Sequence, residues 1–492
     1  MLRNLIGLCL CVLLLSPLRT VAEDVGVVRE ILISGNERTR TEVILRELLF
    51  KPGEMLTEAL VEETSRNLRA LLFLGEVQLD VHRDNEYADV RVTVVDFYAR
   101  AITPLLSGEP GELSYGAVGL DYNFAGRGQI IELTAEHDAV TGNRFRAFFR
   151  EPRWAGSRVR TDVDVEVSSE GHRVALAVAK PFFRLSETWS TGVSGISKER
   201  IQRLYSGHTL SSKYVETIRS GSLSISKSYG NRSKIRPGVF VSVTDRSFTA
   251  ESGFVYAPPD RRRVLPSIGL TLWVPKYETT RFFRRLGRTE DLQTGSWATV
   301  RVGASVEGLG SDRDYRFLTL DVNPRHKLNA ETTLLTRFTY RSRFSDGRVW
   351  NVFASADAIL HVKIREVQAI AARVRWDGLA RTEDVTQYLL GPGQGLRGYA
   401  LRRFDGSKRL FFNVEGRPTL LRREQFTLAG VAFLDGGAAW SESGDRDLAL
   451  AAGGGVRLGM NEVYNSPVLR ADLGYGFRDR SWVLYVGLGQ YF

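Results

Sequence analysis

Thiols are almost missing from this chain. Its 492 residues hold two cysteines, three methionines and six histidines. Both cysteines, Cys9 and Cys11, lie in the first 22 residues. A disulfide-stapled fold and a cysteine metal site are therefore excluded downstream of them, and the chain suits an oxidising compartment without risk of mispairing. The histidines, His82, His137, His172, His208, His326 and His361, stand far apart and form no metal-spacing motif. There is no nucleophile-elbow serine. Neither an enzyme, a metal site nor a cofactor is expected.

Long apolar runs are missing too. The longest, Leu5–Leu15, is half the ~20 residues a membrane helix needs. Arg3 precedes it, Ser16-Pro17 breaks it, and Thr20-Val21-Ala22 supplies small residues. This reads as a secretory signal, 1–22, cleaved after Ala22. Loss of Arg3 and Arg19 lowers the formal charge from +10 to +8. The basic residues are spread along the chain and no nucleic-acid motif appears, so no nucleic-acid partner is expected. The two dense runs, Asp260–Arg263 and Arg281–Arg288, read as solvated loops.

What is present divides in two. Residues 25–97 carry mixed periodicity. A strand over 27–35 ends at Gly35-Asn36, and Thr41–Leu49 is helical. "KPGEM" breaks that helix. Leu60, Thr64, Leu68, Leu71 and Leu72 then share a helical face, and Gly75 is expected at the helix C-terminus. Strands over 76–82 and 87–95 complete a βααββ module.

From residue 98 on, period-two alternation replaces helical spacing. In Arg158–Val167 the odd positions are Val159, Thr161, Val163, Val165 and Val167, and the even ones are charged. Residues 298–306 and 469–477 repeat the pattern. About nineteen such segments of ~9–12 residues lie beyond 113, with a weaker one at 98–106, the length that crosses a bilayer as a tilted strand. A soluble sandwich would bury the apolar faces against a second sheet. The secretion signal, the missing thiols and the aromatic terminus favour a membrane barrel, with charged faces turned to a wet lumen. Backbone groups in lipid must all be paired, so that sheet must close. The fold class is thus a transmembrane antiparallel β-barrel over 98–492 behind one small βααββ domain. In "WVLYVGLGQYF", Trp482, Leu484, Val486, Leu488 and Phe492 share one face, interrupted by Gln490, so Phe492 is expected to face lipid at the interface.

One stretch has no strand pattern: 377–407, containing "GPGQGLRGYALRRFDG". Its glycines could form a flexible loop. A phosphate cradle would also need a following helix and a Lys-Ser/Thr pair, both absent. The residues alone leave Arg397 a solvated loop side chain.

With "SGNERT", "KPGE", "GLRGY", "FLDGG" and the aromatic-ended last strand, the chain resembles the superfamily of outer-membrane barrel-assembly and two-partner-secretion proteins. The module at 25–97 resembles a polypeptide-transport-associated domain. The resemblance implies sixteen barrel strands, against up to twenty by segment count, with overcounting expected among the six segments of 113–198. It implies a loop, carrying Leu396, Arg397, Gly398 and Tyr399, folded into the barrel. Arg397 would pair with Asp435 in the motif Phe433–Gly437, and Glu415 would be the acid on the strand after the loop. In a wet lumen such a pair would contribute only about 0–1 kcal/mol, acting as a positional lock.

The resemblance implies an outer-membrane location with the module in the periplasm. Unfolded outer-membrane or secreted polypeptides would be the clients, the bilayer the setting, and accessory periplasmic proteins or lipoproteins possible partners. Clients would add to an edge strand, expected at 76–82, and to a barrel seam weakened by Gly487 and Gly489 near Phe492. A dedicated secretion pore is the alternative. Its usual second module and plug helix are not found, since residues 23–26 lead directly into the first strand. A passive porin would explain the strands but not the module or loop.

Overall fold

The computed structural model describes residues 23–492 except 207–208, 282–288, 366–367, 442–446 and 461–467. The expected signal segment and most of the Arg281–Arg288 run lie outside the described residues.

The N-terminal module runs β1 (Asp24–Ser34), α1 (Thr41–Leu45), β2 (Met55–Thr57), α2 (Glu58–Arg69), β3 (Leu74–Asp84) and β4 (Tyr87–Asp96). Its sheet has the order β2-β1-β4-β3, with β1 and β4 parallel. Val28, Ile44, Leu56, Leu68, Leu74, Val90 and Val92 form the core beneath the helices. Thr57 caps α2 by accepting the Leu60 amide at 3.3 Å. Three details differ from the sequence reading. The first helix stops at Leu45, and the short strand β2 follows the Lys51–Met55 break. Gly75 does not cap a helix, because α2 ends at Arg69. It lies in β3, where a Cβ would stand 2.1 Å from the Phe97 ring. Strand β3 pairs only with β4 and is a free edge.

The barrel wall begins with β5 (Arg100–Glu109), β6 (Glu112–Phe124), β7 (Gln129–Asp138), β8 (Gly142–Glu151), β9 (Arg160–Ser168) and β10 (Gly171–Lys180). It continues with β11 (Trp189–Ser206), β12 (Thr209–Lys227), β13 (Lys234–Ala250) and β14 (Arg261–Trp273). A side hairpin, β15 (Tyr277–Arg281) and β16 (Thr289–Gln293), leads to β17 (Trp297–Ser305) and β18 (Tyr315–Asn323) with β19 (Arg325–Lys327). Then come β20 (Thr332–Ser345), β21 (Arg348–Arg365) and β22 (Gln368–Ala380). The ribbon β23 (Tyr388–Leu390) and β24 (Phe404–Gly406) precedes β25 (Lys408–Arg422), β26 (Phe426–Trp440), β27 (Ala449–Met460), β28 (Leu469–Gly476) and β29 (Ser481–Leu488).

These strands close into one antiparallel barrel without the two small ribbons. Strands β18 and β19 both pair with β20 and are separated by Pro324, so they make one stave. The described wall has twenty staves, as segment counting allows and in place of the sixteen that the resemblance implies. All six segments of 113–198 are real strands, each paired antiparallel with the next, with one irregularity between Asp121 and Phe124.

Leu133, Phe145, Leu176, Val193, Val239, Ile268, Val374 and Leu484 stand exposed on the outside. A closed sheet with an apolar belt of this extent is stable only in lipid. Strands β11, β12 and β13 have 18, 19 and 17 residues, longer than the ~9–11 a bilayer requires. Asp245 and Arg262 pair beyond the belt at 3.7 Å, both about half exposed. The long strands therefore project past the membrane on the side away from the module.

Closure is uneven. Strands β28 and β29 pair continuously from Leu469–Leu488 to Gly476–Ser481, whereas β29 meets β5 through one registered pair, Val486 opposite Gly108. Gly108, the β5 member of that pair, has φ +119°, a region that L side chains disfavour.

The module docks on the near rim. Arg69 makes a two-point contact with Asp291 of the side hairpin at 2.9 and 2.7 Å. Glu63 accepts the Leu185 amide at 2.5 Å, and Glu47 pairs with Arg153 at 2.5 Å. Thr39 Oγ1 accepts Asn123 Nδ2 at 2.8 Å. Arg66 lies 4.2 Å above the Tyr277 ring. The helices and their loops face the rim, and the β3 edge stays free.

Candidate functional site: the inward loop and its anchors

Between β22 and β25 the chain enters the barrel from the far side. Tyr388–Leu390 pairs with Phe404–Gly406, and the turn between them carries the glycine-rich motif. Gly395 and Gly398 have φ of +122° and +80°, a region L side chains disfavour. Close approach also requires Gly398: a Cβ there would lie 2.9 Å from the Ala451 Cβ and 3.0 Å from the Tyr475 backbone. The wall is bare to match, since a Cβ on Gly476 would meet the Gly398 oxygen at 2.2 Å.

Arg397 is 1% exposed. Its Nε and Nη2 donate to the two carboxylate oxygens of Asp435 at 2.7 and 2.8 Å, and Nη1 donates to Glu415 at 2.5 Å. The Arg397 amide also donates to Asp435, at 3.2 Å. The guanidinium lies between two rings, 3.6 Å from the Phe433 centroid and 4.0 Å from that of Tyr491. Asp435 and Glu415 are both fully buried. A planar fork between two acids and two aromatic faces is an environment lysine could not fill. Leu396 and Tyr399 are buried on either side, and the Tyr399 hydroxyl donates to the Leu450 carbonyl at 2.7 Å. Gly437 admits Leu390, whose Cδ2 would be 3.0 Å from a Cβ there.

The wet-lumen estimate of this pair is therefore wrong for this chain. Leu396, Tyr399, Phe433 and Tyr491 keep water from it, and breaking a buried pair costs far more than breaking an exposed one.

The end of the chain also departs from expectation. Strand β29 stops at Leu488, and Gly489 takes φ +83°. That turn carries the tail inward. Tyr491 comes to rest against Arg397, and the Phe492 main-chain oxygen accepts from Arg417 at 3.1 Å. Phe492 stacks 4.9 Å from the Arg417 guanidinium, so it does not face lipid. Gln490, the break in the apolar face, was the signal that alternation ends there. Gly487 leaves room for Arg470, whose Nε would be 3.0 Å from a Cβ.

Further members of this network carried no motif. Arg457 donates to Asp472 at 2.7 Å, and Arg417 to Glu415 at 2.8 Å. Their only sequence signal is a charge at an inward-facing position of a strand.

The leading arm of the loop has a second foothold. Arg261 donates to Asp384 at 3.0 Å and lies 2.8 Å from Glu383. Arg263 and Arg343 reach Glu383 at 2.5 and 2.6 Å. Arg261 and Arg263 are buried, which corrects the reading of Asp260–Arg263 as a solvated loop. They lie on the inward face of β14. On the returning arm, Arg402 pairs with Glu112 at 2.8 Å and Arg403 with Asp479 at 2.8 Å. The loop is thus fastened to several staves around the lumen.

Residues 26–96 match the POTRA family, surface antigen variable number repeat, so the N-terminal module is a POTRA domain. Among solved structures, CdiB from Escherichia coli aligns with a TM-score of 0.51 at 12% identity, covering 95% of this chain and 77% of that one, and the two share a fold. CdiB from Acinetobacter baumannii aligns at 0.48 and 12% identity, over 94% and 74% of the two chains. BamA from Haemophilus ducreyi lacking POTRA domains 1–3 aligns at 0.45 and 12% identity, over 94% and 85%. No curated protein matches the chain.

Proposed function

We propose that this protein assembles or translocates polypeptides at the outer membrane, with the POTRA domain in the periplasm and no nucleotide or cofactor. The observation that carries the reading is the seam. Among the described residues every other neighbouring pair of staves shares seven or more registered positions, whereas the first and last strands meet through one pair, Val486 with Gly108. Opening it exposes two strand edges, each able to template an added strand. The free β3 edge of the docked module offers a first capture site for an extended client. The inward loop is pinned by Arg397 to β25 and β26 while the terminal tail lies on the same guanidinium. The loop and the last strand thus share one anchor, so movement of one disturbs the other.

The test is depletion of the protein followed by an inventory of outer-membrane and secreted proteins. Loss of many barrel proteins supports assembly. Loss of one secreted species supports dedicated export through the lumen. An unchanged inventory rejects both.

A further inference from the structure

The second foothold of the loop has an unusual composition. Arg261, Arg263, Arg313 and Arg343 converge on two adjacent carboxylates, Glu383 and Asp384. Among the described residues no other acid pairs with these four arginines, which leaves two cationic charges uncompensated. Two buried polar atoms also have no hydrogen-bond partner among the described residues, Arg263 Nε and the Tyr315 hydroxyl. Arg263 is 6% and Tyr315 4% exposed. Buried donors without acceptors are costly. Tyr315 and Trp350 back the cluster, with Arg343 4.8 and 5.1 Å from their centroids. Burial would raise the Glu383 carboxyl, but Arg263, Arg343 and Arg261 outweigh it and hold it below the ordinary glutamate range. The acid therefore stays ionised near neutral pH and does not leave by protonation.

The contacts along this arm extend to the main chain. The Val385 amide donates to the Tyr256 hydroxyl at 3.1 Å. The Gln387 side-chain carboxamide accepts from the Tyr205 main-chain amide at 2.6 Å and donates to the Tyr205 carbonyl at 2.7 Å. What the wall holds is a stretch of peptide with two successive carboxylates and a carboxamide, not an isolated anion.

We propose that the Arg261–Arg263–Arg343 cluster is a binding site for an acidic segment of polypeptide, which Glu383 and Asp384 occupy in the resting state as an internal stand-in. The proposal rests on the reading that polypeptides are the clients, and it adds a chemical preference: a client with adjacent carboxylates displaces the loop arm and takes its place. Electrostatic complementarity of this kind sets which segment enters and how fast.

The probe is a labelled peptide with the sequence of residues 381–389, added to the purified full-length protein in nanodiscs. Glu383→Gln with Asp384→Asn empties the cluster without touching the wall. That variant should bind the peptide at least tenfold tighter than the wild type, because the internal competitor is gone. Adding Arg263→Gln and Arg343→Gln should abolish the gain, as should a peptide with Gln and Asn in place of its acids. Should the four-fold variant not fold, Arg313→Gln, on an exposed loop, should lower the gain in the same direction. Equal binding by wild type and E383Q/D384N, or equal binding of the neutral peptide, would overturn the proposal. Inorganic phosphate that displaces the neutral and acidic peptides alike would do the same. Peptide binding as expected, with an unchanged protein inventory on depletion, would reject the proposed function and leave the site standing.

Discussion

Replacing Arg397 with alanine tests how firmly the loop is held. Arg397 gives Asp435 three of its hydrogen bonds, two from the guanidinium and one from the main chain. Without the side chain, Asp435 keeps a weak main-chain donor and Asn413. Glu415 is better protected, because Arg417 still donates at 2.8 Å. One fully buried carboxylate therefore loses its counter-charge, a loss of about 3–5 kcal/mol. Part of it is recovered if the loop swings out and lets water reach Asp435. Hydrogen exchange at the amides of Leu396–Tyr399 reads that opening. At about 1.4 kcal/mol per tenfold, protection should fall by about 10²–10³-fold. Arg397→Lys should fall between, keeping the charge but not the two-point fork. Adding Asp435→Asn to Arg397→Ala should recover much of the loss, since no unpaired buried charge remains. Protection within about threefold of wild type in R397A, with the barrel folded, would refute the reasoning.

Gly476→Ala places a Cβ 2.2 Å from the Gly398 oxygen and should release the loop nearly as well as R397A by the same exchange measurement. Gly416→Ala, with nothing within 4 Å, should be silent. Tyr491→Phe removes a buried hydroxyl that has no partner among the described residues, so stability in detergent should be unchanged or rise by up to about 1 kcal/mol, whereas Tyr491→Ala should lower it. Docking of the POTRA domain should depend on pH through Glu63. Burial raises its carboxyl above the ordinary 4.5, although the Leu185 amide and Arg66 oppose the shift. The docked form then holds the proton more readily, so docking is fully favoured below 4.5 and weakens as pH rises through the raised value. Crosslinking of module to rim should decline over that window in the wild type and stay flat in Glu63→Gln; a decline of equal size in both would exclude Glu63 as the cause.

Much of the fold is legible because lipid and lumen impose a strict period of two. Arg158–Val167 shows the alternation without ambiguity, and every hairpin has its own break, so counting segments reaches twenty. Periodicity says nothing about which strands close the ring or how well. The single pair between Val486 and Gly108 is a through-space fact that the local sequence does not encode. The Arg397 anchor is legible only through the resemblance carried by Leu396–Tyr399, because glycines on both sides suit a flexible loop as well as a close approach. Glu383 and Asp384 look like any exposed acids until Arg261 and Arg263 arrive from a strand over a hundred residues away. Phe492 departs from the alternation for a physical reason: the period of two ends at Gly489, whose φ of +83° resets which side the next residue faces.

The seam can be tested directly with one cysteine in β5 beside Gly108 and one in β29 beside Val486. The chain beyond residue 22 has no other thiol, so oxidation joins these two alone. The account predicts that the oxidised barrel stays folded but no longer restores client proteins in depleted cells, and that reductant returns the activity. Full activity with the seam locked shut would contradict it.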